Sequence, residues 1–190
     1  MSADQDDCMS RIEPLFKVLH DALHDGMGFY LGKYSKKVLA QHRDRTAANC
    51  VYDHAFHNLR EQLDGEPGCH FLNRRGLEVL NYFDLALVRL KKVNGAGRAQ
   101  NLRTKQQRDY DDQKSIPGLP DAAVRLIVGY QPDAAFSFVE RVIVSRPLGK
   151  TIRWTAQIVV ADDASKWFDI TPDRLAGTEA VDFDSVRRRS

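Results

Sequence analysis

Arg89, Lys91 and Lys92 close an apolar run, and Arg98, Arg103, Lys105 and Arg108 follow within a short stretch. Guanidinium and ammonium groups at this density suit a polyanion. They pair with phosphate, and Asn101, Gln106 and Gln107 among them can reach base edges. Segment 71–114 holds ten Lys and Arg against five Asp and Glu, a local balance of +5, whereas 1–70 sums to −3 and 115–190 to zero. The chain as a whole carries only +2, so the segregation rather than the total points to an acidic partner, either a nucleic acid or an acidic protein surface. The plainer reading of the same cations is a strand end and a helix face with packed stems and wet heads.

These groups need elements to position them. Three short strands are expected at 69–74, 77–81 and 83–93. The run Leu85-Ala86-Leu87-Val88 is apolar on both faces, as in the middle of a covered sheet. Arg89 and Lys91 are two apart and therefore project from one face. Asn94-Gly95-Ala96-Gly97 makes a turn, and a polar helix spans roughly 102–113.

Upstream, residues 1–9 read as a flexible tail. Ser10, with Glu13 three residues later, reads as the cap of a helix over 10–24 that Gly26, Gly28 and Gly32 break. A second helix is expected over 46–63. Downstream, 116–120 reads as a stiff connector. Strands at 123–130, 136–145 and 151–160 form an antiparallel meander whose last member alternates Ile152, Trp154, Ala156, Ile158 and Val160 on one face. Residues 161–190 form a C-terminal extension with an apolar cluster at Trp167, Phe168 and Ile170 and a mobile basic end at Arg187, Arg188 and Arg189.

The fold class is therefore α+β: N-terminal helices packed on a mixed or antiparallel sheet, with a C-terminal three-stranded antiparallel meander. One domain covers 10–160, with a helical part at about 10–65, a strand-helix part at 69–114 and the meander at 121–160. The exposed edge of that meander offers a possible route to a protein complex.

Composition removes several function classes. A hydrophobic content of 43% with 28% charged residues supports a packed core, so global disorder is excluded. No apolar run approaches the roughly 20 residues that span a bilayer, so no membrane partner is expected. The acidic start lacks the features of a secretory signal. Cys8, Cys50 and Cys69 are odd in number and widely spaced, which fits a reducing, cytoplasmic location. Phosphate-loop and Gly-X-Ser-X-Gly motifs are absent, which disfavours ATPase and α/β-hydrolase chemistry. His20 and His24, and Asp53 and His57, are four apart and could each share a metal, but no full ligand set accompanies them. No metal or cofactor is assigned.

The order helix, three strands, helix, with Lys91 on a strand and Gln106 four residues before Tyr110, resembles the core of the restriction-endonuclease-like nucleases. The resemblance implies Glu61 as the helix acid, Asp84 as the strand acid and Lys91 as the lysine. Gln106 and Tyr110 would place substrate, and magnesium would be the cofactor. The chain departs from that pattern where an acid should stand two residues before Lys91, because Arg89 occupies the position and a cation there repels magnesium.

A broader likeness covers more than half of the chain. Arg45-Thr46, Asp53-His54, Lys91-Lys92, Thr104-Lys105-Gln106, the connector at 116–120 and Gly129-Tyr130 resemble an uncharacterised bacterial family of accessory proteins carried in defence loci or mobile elements. That resemblance attaches no activity; the charge segregation points to a binding or regulatory accessory protein, and the likeness to the nuclease core gives a divergent magnesium-dependent nuclease as the alternative.

Overall fold

A computed structural model describes residues 3–99, 104–161 and 164–172 of the chain. The helical layer comprises α1 (Ala3–Ile12), α2 (Phe16–Lys33), α3 (Lys36–Leu39) and α4 (Asp44–Gln62), with a tight turn of helix at Glu13–Leu15 between the first two. The strands are β1 (Cys69–Arg74), β2 (Leu77–Tyr82), β3 (Ala86–Lys92), β4 (Val124–Pro132), β5 (Val139–Leu148), β6 (Thr151–Ala161) and β7 (Ala164–Asp169), and α5 (Lys105–Asp111) lies between β3 and β4. The protein is α+β, and its seven strands form one mixed sheet in sequence order.

Only β3 and β4 pair in parallel; every other neighbouring pair is antiparallel. A parallel pair needs a crossover. Here the crossover contains α5, which therefore covers the sheet face opposite the other helices. Period-two alternation divides the core accordingly. Ala86, Val88, Leu90, Val128, Val144, Trp154 and Ile158 pack under α1, α2 and α4. Leu77, Val79, Leu87, Ile127 and Ile143 pack under Tyr110, Ile116 and Leu119 on the α5 side.

The stretch read as a tail folds as α1. Cys8, Met9 and Ile12 are buried on its inner face, and Gln5 donates through Nε2 to the Thr155 carbonyl at 3.1 Å. Asp4 accepts from Trp154 Nε1 at 2.9 Å and pairs with Arg146 and Arg153 on β5 and β6. Ser10 is therefore inside a helix rather than its cap, and the break falls at Pro14. The glycines of α2 do not end it either. At Gly26 the backbones of α2 and α4 approach so closely that a Cβ would lie 2.8 Å from the Val51 carbonyl oxygen and the Ala55 methyl.

The antiparallel part has four strands, β4 to β7, where three were expected. The extension after 160 adds β7, with Trp167 against the helical-side core and Ile170 in the other core. Its basic end lies outside the described residues, as do Asn101, Leu102 and Arg103. Among the described residues no helix is long and apolar enough to cross a membrane.

Candidate anion-binding site

The β2–β3 ladder runs only from Leu80↔Val88 to Tyr82↔Ala86, whereas β3 stays paired with β4 as far as Lys92↔Tyr130. The two strands part there although β2 continues to Leu77 beside β1, so Arg89 to Lys92 have no ladder partner on the β2 side. On the α5 side this opening is a cavity of about 230 Å³. Its walls are the β1–β2 turn with Arg75 and Gly76, the end of β3 with Arg89 and Lys91, and the start of α5 with Gln106 and Gln107.

The short helix is placed by its cap and its inner face. Thr104 caps it, its hydroxyl oxygen accepting from the Gln107 N–H at 3.2 Å. Gln107, Tyr110 and Asp111, at helical spacing, turn inward and are buried. The Tyr110 hydroxyl lies 2.7 Å from the Leu87 carbonyl and 2.8 Å from that of Leu126, so its proton ties α5 to both parallel strands.

Arg89 is 6% exposed. Its Nη1 donates to the Gln107 amide oxygen, its guanidinium carbon lies 5.1 Å from the Tyr110 ring centroid, and its Nε has no hydrogen-bond partner among the described residues. Gln107 in turn donates to Asp111 Oδ1 at 2.6 Å. The immediate partners of Arg89 are thus neutral, with the Asp111 carboxylate one amide away. Burial pulls its pKa downward.

Lys91 Nζ sits 5.2 Å from the Tyr52 ring centroid, where α4 reaches the gap between the strands. The Tyr52 hydroxyl donates to Glu78 at 2.8 Å, and burial followed by that hydrogen bond pushes its pKa well up. Burial first, and the Arg89 charge second, bring the Lys91 pKa down to about 8. Among the described residues no carboxylate forms an ion pair with Arg89 or Lys91. The arrangement is a concave, positively charged seat with the Gln106 amide at its wall, and its chemistry suits an anion.

Only part of the expected basic surface converges here. Lys92 points to the opposite face, 4.0 Å from Asp44 and with its Nζ 4.9 Å from the Phe136 ring centroid. Arg98 is exposed beside a second cavity of about 250 Å³ that Lys150 and Asp111 also line. Lys105 and Arg108 are exposed on the outer side of α5, and Arg103 lies outside the described residues. Arg75 was not among the expected residues, and its only linear signal is an Arg-Gly pair at a hairpin turn.

The nuclease set does not assemble. Asp84 sits in the β2–β3 turn, accepting from Asn81 at 2.6 Å, at the start of β3, while Lys91 is near its end. Ala86 to Lys91 alone spans roughly 16 Å of strand. Glu61 is exposed in the last turn of α4, 3.5 Å from His57, and roughly 13 Å along the helix from Tyr52, which contacts Lys91. Gln106 donates to the Arg74 carbonyl at 3.1 Å and does line the cavity with Lys91. Tyr110 is 0% exposed and cannot touch a substrate. These residues do not fit a magnesium ion. Among the described residues no group of three or more His, Cys, Asp and Glu is placed to hold a metal.

No protein-family model matches the chain, and comparison with curated proteins and with solved structures gives no significant match.

Proposed function

We propose that the protein is a non-catalytic accessory protein that grips phosphate of a nucleic acid through the open end of β3, in a phage-defence or mobile-element setting. The observation that carries this reading is the pair Arg89 and Lys91, held in one cavity with no carboxylate ion pair among the described residues. Cations that folding leaves uncompensated are costly, and an anion from outside offsets that cost. Arg75 extends the seat, and the exposed Lys105 and Arg108 continue the positive surface along α5. The family likeness around Lys91-Lys92 and Thr104-Lys105-Gln106 supports the accessory role.

Salt-titrated binding to duplex DNA, single-stranded DNA and RNA, each with and without magnesium, tests this. Affinity that falls steeply with salt is the expected result. Absence of binding at low salt would remove the nucleic acid and leave an acidic protein as the partner. Cleavage in the magnesium samples would overturn the non-catalytic reading in favour of the nuclease alternative.

A second contact, through the C-terminal sheet, has its own support. Val159 and Phe168 share one face of β6 and β7 and are 36% and 49% exposed, next to the outer edge of β7. Light scattering after size exclusion tests self-association there; a monomer at every concentration leaves only a different protein as partner.

A further inference from the structure

Resting on the nucleic-acid reading, we infer that the cavity at the end of β3 holds a phosphomonoester dianion, the phosphate at a strand end, rather than a diester within a strand. Its shape is the first reason. The β1–β2 turn, β3 and the start of α5 wall the cavity on three sides. An internal phosphate must let the chain leave in two directions, whereas a terminal one needs a single exit.

Charge is the second reason. Among the described residues Arg75, Arg89 and Lys91 line the space and no carboxylate does. A diester carries one negative charge, while a monoester carries about −1.5 to −2 at neutral pH and three acceptor oxygens. Three cations match the second better. Arg89 is the built element: it is 6% exposed, lines the cavity, and has its Nη1 held by Gln107 while its Nε is unpartnered among the described residues. The guanidinium is therefore oriented before any ligand arrives, which suits fork-like pairing with phosphate oxygens.

Lys91 adds a signature that geometry alone does not. Burial and Arg89 bring its pKa down to about 8 against the opposing charges of Glu78 and Asp111, so it is partly neutral in the free protein at mildly alkaline pH. A bound dianion restores its proton. Binding therefore takes up protons, and affinity falls as pH rises through that value.

The experiment uses the full chain and short single strands of one sequence, ending in phosphate at one end or the other or in hydroxyl at both. Inorganic phosphate and adenosine monophosphate serve as competitors. One phosphorylated end should bind at least about tenfold tighter than the hydroxyl strand. The preference should disappear in Arg75→Gln, an exposed turn residue, and in Lys91→Gln, but persist in Lys37→Gln, an exposed residue of α3. Equal affinity for phosphate and hydroxyl ends, with normal salt dependence, overturns the end-recognition proposal and leaves nucleic-acid binding standing. Competitor binding lost in Arg75→Gln, without binding of any strand, keeps the monoester site but removes the nucleic acid. Binding of neither overturns both.

Discussion

Arg89 and Lys91 rise from the same face of β3 into one cavity, and among the described residues no carboxylate forms an ion pair with either. Arg89 is held instead by the Gln107 amide and the Tyr110 ring, and Lys91 by the Tyr52 ring. Each partner orients its cation without neutralising it. A site that spends stability on two oriented cations, offset only at a distance by Glu78 and Asp111, has the properties of a binding seat rather than of a structural ion pair.

Lys91→Met should stabilise the protein and abolish anion binding. Below a pH of about 8 folded and unfolded chains both carry the Lys91 proton, and the burial penalty is complete; between about 8 and 10.5 the folded chain sheds the proton first and stability rises. Removing the amine should give about 1–3 kcal/mol at neutral pH, after discounting residual exposure, and should flatten that alkaline rise. Denaturant unfolding across pH reads both; a destabilised variant would contradict the assignment of Lys91 as an uncompensated cation.

Tyr110→Phe should cost about 1–3 kcal/mol, because two buried strand carbonyls lose the hydroxyl that lies between them. For a chain of this size that is about 2–4 °C of Tm per kcal/mol. A phenylalanine variant with native Tm would mean that the clamp between β3 and β4 contributes nothing.

Asp4→Ala tests whether α1 belongs to the fold. Burial acts to raise the Asp4 pKa, but hydrogen bonds from Trp154 and Arg146 and the charges of Arg146 and Arg153 outweigh it and hold the carboxyl below its usual range. A depressed carboxylate contributes stability that is complete above the ordinary value of 3.8 and is lost as pH falls below it. The variant should be less stable by about 1–2 kcal/mol at neutral pH, allowing for solvent screening, with a shallower loss in acid. Native stability across this range would return residues 3–12 to the status of a tail.

The strands were legible because their apolar residues either alternate, as in β6, or fill both faces, as in β3. The same period-two rule that pairs Arg89 with Lys91 sends Lys92 to the other side, so the basic surface divides. What the linear pattern hides is tertiary. The acids of α1 look like a solvated tail until Trp154 and Arg146, far along the chain, are brought to Asp4. Gly26 reads as a helix breaker, yet it is a contact point between helices, and nothing local distinguishes the two. Glu61, Asp84 and Lys91 follow a nuclease order along the chain, but Asp84 and Lys91 stand at opposite ends of one strand. Arg75 reaches the cavity only because the β1–β2 hairpin folds back beside the end of β3.

The most direct test of the binding seat is the salt slope of nucleic-acid affinity for the native chain and for the Arg75→Gln, Lys91→Gln double variant. Loss of two phosphate-facing cations should lower the slope of log K against log salt by about 1.5–2 and weaken binding to all sequences alike. An unchanged slope with unchanged affinity would contradict the account, because phosphate would then be bound elsewhere on the molecule.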